Sequence, residues 1–109
     1  MKINRLFTRE GKGPYAGISF EERTAEIKNP NGEIVFKQEQ VIVPSFWSQI
    51  ATDILAQKYF RKTGVSGDNG GGETDARQVF HRLAYTWMDW GKRHNYFDST
   101  YDSQAFYDE

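Results

Sequence analysis

The sequence contains no cysteine, only three prolines, and no apolar run long enough to be a signal peptide or a membrane span. Without cysteine, these 109 residues hold no disulfide framework, no thiolate metal site and no thiol-based catalysis. The formal net charge is -1, and lysine and arginine are scattered along the chain instead of forming a basic run. We therefore expect a cytoplasmic chain that contacts neither a membrane nor nucleic acid.

Aromatic residues, by contrast, are abundant, with eight Phe, six Tyr and three Trp. At 12.7 kDa the chain has the size of one modest domain, and we expect a single domain over residues 1–109. This ring surface either builds the core of that domain or marks a surface that docks on something larger.

The first third of the chain predicts an extended arm followed by a β-hairpin. Residues 1–17 are mixed and rich in glycine, which favours the arm. A strand over Phe20–Lys28 then runs into Asn29-Pro30-Asn31-Gly32. Pro30 suits the second position of a type I turn and Gly32 the left-handed position after it, so these four residues predict the hairpin turn.

The second strand is predicted over Glu33–Val43, and pairing its first residue with Asn29 sets the register of the hairpin. That register predicts two further opposed pairs, Arg23 with Glu39 and Phe20 with Ile42. The alternation is imperfect, because Gln38 and Gln40 fall on the same face as the apolar residues of this strand.

Two long helices are predicted next, separated by the glycine-dense segment Ser66–Gly72, which predicts a flexible connector. The first begins at an N-cap on Ser45 and continues to about Lys62. Its apolar residues fall on one stripe: Trp47, Ile50, Ala51, Ile54, Leu55 and Tyr59. The second begins near Thr74 or Asp75 and ends near Lys92, with an apolar face of Ala76, Val79, Phe80, Leu83, Ala84, Trp87 and Trp90.

A third helix is predicted from an N-cap on Ser99, with Asp102 in the capping-box position. The sequence stops at Phe106–Glu109 inside this helix, which we interpret as a truncation. The predicted fold class is therefore α+β: an N-terminal arm, one antiparallel β-hairpin, two long helices and a truncated third helix. We expect the helices to bury their aromatic faces against each other and against the hairpin.

Few residues are candidates for chemistry. His81 and His94 lack the carboxylate pattern that would complete a metal site, so we predict no metal ligand. Gly11-Lys12-Gly13 and Gly70–Gly72 do not match a phosphate-binding loop, so we predict no cofactor site. The carboxylates lie on strands, helix starts and turns, where such residues are ordinary, and we assign no catalytic residue.

The aromatic cluster of Trp87, Trp90, Tyr96 and Phe97 is the most informative group. One interpretation is that these rings form part of the core. The other is a docking surface, since aromatic anchors concentrate the binding energy of protein interfaces.

Several blocks of sequence, taken in order, carry a family resemblance over nearly the whole chain. They are Phe7-Thr8-Arg9-Glu10-Gly11 with Pro14-Tyr15, Val41-Ile42-Val43-Pro44, Trp47-Ser48-Gln49-Ile50-Ala51, Lys58-Tyr59-Phe60-Arg61, Asp75-Ala76-Arg77-Gln78-Val79-Phe80-His81-Arg82-Leu83-Ala84, Trp90-Gly91, Tyr96-Phe97-Asp98-Ser99 and Ala105-Phe106-Tyr107-Asp108-Glu109. With these blocks the chain resembles the N-terminal domain of bacterial class II, adenosylcobalamin-dependent ribonucleotide reductases.

The resemblance implies a parent enzyme that reduces ribonucleotides to deoxyribonucleotides. In that family adenosylcobalamin generates a thiyl radical on a cysteine of a downstream barrel, and none of that machinery lies in this sequence. The resemblance therefore implies a non-catalytic accessory domain that binds no cofactor itself. Its expected partner is the catalytic barrel in the remainder of the reductase chain, or a neighbouring subunit of a homodimer.

The chain departs from the family between its first two helices. Relatives carry a longer insertion there, rich in proline and acidic residues, where this sequence has only Gly64–Glu73. We interpret Ser66–Gly72 as an engineered replacement of that insertion. Two other functions stay open: a nucleotide-binding regulatory domain, by analogy with other ribonucleotide reductases, and a freestanding protein-interaction module.

Overall fold

The structure, a computed structural model, describes residues 1–65 and 71–109. Its elements are β1 (Phe20–Lys28), β2 (Ile34–Pro44), α1 (Gln49–Ile54), a π-helix (Leu55–Tyr59), α2 (Ala76–Arg93) and α3 (Thr100–Asp108). The α+β prediction is confirmed, because these elements form one two-stranded antiparallel hairpin and helices of unequal length. Within the described ranges, no helix has both the length and the apolar character needed to cross a bilayer.

The chain divides into two compact units. The hairpin unit, Ser19–Val79, contains β1, β2, α1, the π-helix and the start of α2. The arm unit, Met1–Ile18 with Phe80–Glu109, contains the N-terminal arm, the rest of α2 and α3.

The hairpin unit holds a contiguous apolar core. Both strands, the π-helix and the start of α2 contribute small or aliphatic side chains to it, and one phenylalanine completes it. The buried members are Ala25, Val41, Val43, Leu55, Ala56, Phe60, Ala76 and Val79.

The turn of the hairpin forms as predicted. Gly32 has a φ of 85° and its amide donates to the carbonyl of Asn29 at 3.0 Å. The Asn29 side chain also accepts from the amides of Asn31 and Glu33, both at 3.0 Å. The predicted pairing of Asn29 with Glu33 is confirmed by a backbone hydrogen bond of 2.8 Å between them.

Farther from the turn, the predicted register is wrong by two residues. Arg23 lies opposite Val41, not Glu39, and Phe20 lies opposite Pro44, not Ile42. The register shifts twice, once between Ile27 and Lys28 and once between Arg23 and Ala25. Each shift is a β-bulge that adds one residue to β2, and the second coincides with Gln40, whose φ of 59° is left-handed. The bulges also explain the imperfect alternation, because each one reverses the face to which later residues point.

The first helix begins later than predicted. Its N-cap is Ser48, whose hydroxyl accepts from the amide of Ala51 at 3.0 Å, and not Ser45. The guanidinium of Arg23 is the cause, since it donates to the carbonyls of Ser45 at 2.9 Å and Trp47 at 2.6 Å. These bonds hold residues 45–47 in a turn before the helix starts.

The same helix ends at Tyr59 instead of Lys62, and its last turn is a π-helix. A π-turn inserts one residue into the α-helical repeat, so the buried face moves by one position. The predicted stripe is wrong in part: Tyr59 in the π-turn is exposed, and so are Ile50 and Ile54, which precede that turn. Leu55 is buried as the stripe predicted, and Ala56 and Phe60, which lie outside the predicted stripe, are buried as well.

The predicted connector Ser66–Gly72 lies mostly outside the described residues, but Gly72 is described. Its φ is 80°, and a Cβ on it would approach the carbonyl oxygen of Arg61 to 2.6 Å. Both the backbone conformation and the lack of space therefore make a side chain unfavourable at this position.

The N-terminal cap of α2 forms as the sequence predicted, and the C-terminal end has a cap that was not predicted. Asp75 accepts from the amide of Arg77 at 2.9 Å, and the Gln78 side chain accepts from the amides of Thr74 and Asp75. At the other end Asn95 takes a left-handed φ of 58°. The amide of Tyr96 there donates back to the carbonyl of Gly91 at 2.9 Å, the pattern of a Schellman motif.

The start of α3 is also confirmed. Ser99 is its N-cap, with its hydroxyl accepting from the amide of Asp102 at 3.2 Å and donating to the Asp102 carboxylate at 2.7 Å. The expectation of buried aromatic helix faces is wrong for α2, whose outer residues keep a substantial part of their surface exposed. They are Phe80, Leu83, Trp87 and Trp90.

Candidate docking surface

An apolar groove of about 570 Å³ lies within the arm unit. The N-terminal arm, α2 and the end of α3 each supply one wall. The lining residues are Pro14, Tyr15, Ile18, Phe80, His81, Leu83, Ala84, Trp87, Phe106, Tyr107, Asp108 and Glu109.

The α2 wall is one face of an amphipathic helix. Phe80, Leu83, Ala84 and Trp87 follow the i, i+3, i+4, i+7 spacing, which places them in one stripe. Trp87 keeps 50% of its surface exposed. The stripe therefore presents apolar surface to solvent instead of sealing a core.

The α3 wall is held in place by packing behind it. The rings of Phe106 and Phe97 lie 5.4 Å apart between centroids. Phe97 in turn rests on Gly91, where a Cβ would come within 2.5 Å of its ring. Gly91 thus lets Phe97 approach α2 closely, and Phe97 positions Phe106.

One polar link spans the groove. Nδ1 of His81 and the hydroxyl of Tyr107 are hydrogen-bonded at 2.6 Å, which joins α2 to α3. The ring of Tyr85 also packs on His81, with centroids 5.3 Å apart. Burial, followed by the negative charge of Asp108, raises the pKa of Tyr107.

The two carboxylates of the lining already have partners in the arm. Asp108 forms a buried ion pair with Arg5, with 2.9 Å between Oδ2 and Nη1. Glu109 accepts from the amides of Leu6 and Thr8 at 2.8 and 3.0 Å and from the Thr8 hydroxyl at 2.8 Å. The lining contains no lysine or arginine among the described residues, so its walls offer apolar surface and no cation for an anionic ligand.

A third carboxylate, Asp102, also holds the arm on α3. It accepts from the amide of Ile3 at 2.9 Å. The hydrogen bond from Ser99 and then that from Ile3 lower the pKa of Asp102. Burial raises the pKa of Glu109, but the hydrogen bonds from Phe7, Thr8 and Leu6 outweigh it and lower that pKa overall.

Sequence reasoning missed this set of carboxylates, since each one alone looks like an ordinary surface or capping residue. The signal that would have found them is their density, because Asp98, Asp102, Asp108 and Glu109 all fall within the last 12 residues. Asp98 contacts the amino group of Met1. Each of the four carboxylates therefore binds a group within the first eight residues.

The predicted docking residues are only partly brought together. Trp87 lines the groove, and Trp90 lies one helical turn beyond it on α2 with 56% of its surface exposed. Tyr96 is 58% exposed and stacks on His94, with ring centroids 5.8 Å apart. Phe97 is half-buried under Phe106, so it supports the groove instead of displaying a ring.

Neither histidine belongs to a metal centre in the described ranges. No three His, Cys, Asp or Glu side chains of residues 1–65 and 71–109 converge as metal ligands. His81 is hydrogen-bonded to Tyr107 and packs on the ring of Tyr85, and His94 stacks on the ring of Tyr96.

Comparison with known proteins gives a consistent match. Residues 21–109 match the family described as class II vitamin B12-dependent ribonucleotide reductase. Relatives with the name vitamin B12-dependent ribonucleotide reductase from Bradyrhizobium diazoefficiens and Agrobacterium fabrum are each 42% identical over 139 aligned positions, covering 100% of this chain and 11% of theirs. A relative of the same name from Rhodopirellula baltica is 37% identical over 98 positions, covering 90% of this chain and 9% of its own.

The chain thus spans about a tenth of the length of the relatives that it matches. The alignments of 139 positions exceed the 109 residues of this chain, so the first two relatives carry about 30 residues without a counterpart here. The location of that excess between α1 and α2 stays a prediction.

Proposed function

Because the chain belongs to the class II, vitamin B12-dependent ribonucleotide reductases and corresponds to their N-terminal domain, we propose that it is a non-catalytic domain that docks on the remainder of the reductase chain. The parent enzyme reduces ribonucleotides to deoxyribonucleotides with adenosylcobalamin and a thiyl radical. This segment supplies no thiol for that chemistry, since it contains no cysteine.

The apolar groove of the arm unit is the observation that carries the proposal. A domain of this size ordinarily buries its large aromatic side chains, yet Trp87 and its neighbours on α2 remain exposed along one stripe. Exposed, rigidly supported aromatic rings are the usual anchors of protein interfaces. The proposed occupant is therefore apolar protein surface.

The remainder of the reductase is the partner that best fits this surface. About nine-tenths of each relative lies outside the region that matches this chain. Covalent linkage would give that partner a high effective concentration, so a modest apolar interface suffices for docking.

The nucleotide-binding alternative has weaker support. A cavity of about 570 Å³ is large enough for a small molecule. However, Asp108 and Glu109 line it, and the arginine nearest to them, Arg5, is already paired with Asp108. A phosphate group in the groove would lie near two carboxylates, and no lysine or arginine of the described lining would be there to pair with it. A freestanding interaction module also fits poorly with membership of this family.

Covalent footprinting of the complete reductase with a photoactivated carbene tests the proposal. We expect labelling of Trp87 well below the level that its 50% exposure in this structure predicts, because the docked partner covers it. Tyr59, which has a similar exposure but lies in the hairpin unit, is the internal reference. Equal labelling of Trp87 and Tyr59, each normalised to its intrinsic reactivity, would disprove docking at the groove.

Titration calorimetry of the chain with ATP, dATP and adenosylcobalamin tests the alternative. The docking proposal predicts no saturable heat with any of the three. Saturable binding in the micromolar range would favour the nucleotide-binding or cofactor-binding function instead.

A further inference from the structure

Leu6 and Phe7 are the most exposed large apolar side chains of the described residues. Leu6 keeps 78% of its surface exposed and Phe7 82%. Side chains as exposed as these have no role in the core of the arm unit. Their exposure raises the question of what holds the backbone beneath them.

The backbone of this pair is fixed by a single carboxylate. Glu109 accepts from the amides of Leu6, Phe7 and Thr8 at 2.8, 3.1 and 3.0 Å, and from the Thr8 hydroxyl at 2.8 Å. Hydrogen bonds to an ionised acceptor are stronger than those between neutral groups. Because three successive amides turn toward Glu109, the segment is ordered while the side chains of Leu6 and Phe7 remain in solvent.

A second attachment precedes the pair. The Arg5 guanidinium donates to Asp108 at 2.9 Å and to the Thr8 hydroxyl at 3.0 Å, and it also lies 5.3 Å from the centre of the Tyr101 ring. The side chains of Arg5 and Asp108 are only 7% and 4% exposed. Leu6 and Phe7 are therefore held from both sides, by the buried ion pair and by Glu109.

An ordered backbone with exposed apolar side chains has lost its conformational entropy before any partner binds. A binding element preorganised in this way loses less free energy on association than a flexible one. The position of the pair also matters, because Glu109 both holds Leu6 and Phe7 and lines the apolar groove. The backbone of the pair is thus attached to a residue that lines the groove.

We propose that Leu6 and Phe7 form a preorganised anchor that inserts into an apolar pocket on the remainder of the reductase chain, next to the surface that covers the groove. This inference rests on the proposed docking function and names the residues that give the interface its affinity. Arg5, Thr8 and Glu109 are positioning residues that hold the anchor in its binding conformation.

Footprinting of the complete reductase also tests the anchor. In the unmodified enzyme we expect strong protection of Phe7 from carbene labelling. Substitution of Phe7 with alanine (Phe7→Ala) should raise the labelling of Trp87 about tenfold or more, since loss of an interface anchor commonly weakens binding by at least that factor. The matched control is Phe46→Ala, which removes the same side chain from a 73% exposed position of the hairpin unit and should leave Trp87 protected.

The positioning role has its own variant, Thr8→Val, which keeps the anchor and removes the hydroxyl that Glu109 and Arg5 share. We expect Trp87 labelling to rise by a smaller factor, about two- to fivefold, because the anchor is present but less ordered. No change with Thr8→Val, alongside a large effect of Phe7→Ala, would disprove preorganisation by this contact.

The outcomes separate the two proposals. If Trp87 is unprotected in the unmodified enzyme, docking at the groove is wrong. If Trp87 is protected but Phe7 is labelled as fully as Phe46, or Phe7→Ala behaves like Phe46→Ala, docking stands and the anchor is disproved. Protection of Phe7 that disappears on dilution would overturn the assignment of the partner, because it indicates a second copy of the enzyme.

Discussion

The hairpin unit and the arm unit are stabilised by opposite means. In the hairpin unit, apolar side chains of both strands, the π-helix and the start of α2 are buried in one core. In the arm unit the buried apolar residues of the described chain are only Met88 and Ala105, whereas Asp102, Ser103 and Asp108 are buried polar residues. The arm unit buries an ion pair and hydrogen-bonded carboxylates and leaves aromatic surface exposed. It is therefore the unit for which we propose a docking partner.

The largest effect should come from the core of the hairpin unit. Phe60→Ala removes a buried ring, and we expect a loss of about 3–5 kcal/mol in the free energy of unfolding, measured by urea denaturation followed by circular dichroism. The neighbouring substitution Tyr59→Ala should cost less than about 1 kcal/mol, since Tyr59 is exposed. Equal costs for the two would contradict the shift of the buried face by the π-helix.

A smaller effect is expected where the hairpin unit has no space for a side chain. Gly72→Ala places a Cβ 2.6 Å from the Arg61 carbonyl oxygen at a left-handed φ, and we expect a cost of about 2–4 kcal/mol. Gly64→Ala is the matched control, because Gly64 also has a left-handed φ of 75° but open space around it. It should cost only about 1–2 kcal/mol, again measured by urea denaturation. A cost for Gly72→Ala no greater than that control would show that the close approach is relieved without strain.

The arm unit should respond to pH instead. A carboxylate with a lowered pKa in the folded chain contributes stability above its ordinary pKa, about 4, and loses it as pH falls through the lower folded value. The pKa values of Asp102 and Glu109 are both lowered. Acidification from pH 7 to below about 4 should therefore release the arm, seen by NMR as faster hydrogen exchange at the amides of Ile3, Leu6, Phe7 and Thr8 relative to their intrinsic rates.

The core strand β2 supplies the control for that titration. The amides of Val41 and Val43 belong to the hairpin. In the described structure, neither of the two carboxylates with a lowered pKa, Asp102 and Glu109, owes that shift to a hydrogen bond from these amides. They should stay protected over the pH range in which the arm is released. If the arm amides and the β2 amides lose protection at the same pH, acid unfolds the whole chain and not the arm alone.

The fold was predictable from sequence wherever a local rule decides the structure. The turn at Asn29–Gly32 and the caps on Asp75 and Ser99 are set by nearby side chains, and all were confirmed. The register of β2 and the start of α1 were not, because the bulge at Gln40 and the carbonyl contacts of Arg23 depend on residues distant in sequence. Periodicity assumes an unbroken repeat, and a bulge or a π-turn breaks it without a clear sequence signal.

The candidate site was predictable only in part for a related reason. Aromatic density on α2 indicated Trp87 and Trp90, and both are exposed. The role of Phe97 depends on Gly91 fitting beneath its ring, and the hold of Glu109 on Leu6–Thr8 joins residues about a hundred positions apart. Neither contact follows from spacing along the chain.

The smallest expected effect on stability comes from the exposed tryptophans of the arm unit. Trp90→Ala in this chain should cost less than about 1 kcal/mol, because 56% of the side chain is exposed, whereas a core residue would cost about 3–5 kcal/mol. The urea denaturation midpoint measures this, with Phe60→Ala as the core reference. In the complete reductase the same substitution should raise the carbene labelling of Trp87, because Trp90 extends the docking stripe. A core-like loss of stability in this chain would instead assign Trp90 to the interior and shrink the docking surface to the groove and the Leu6–Phe7 anchor.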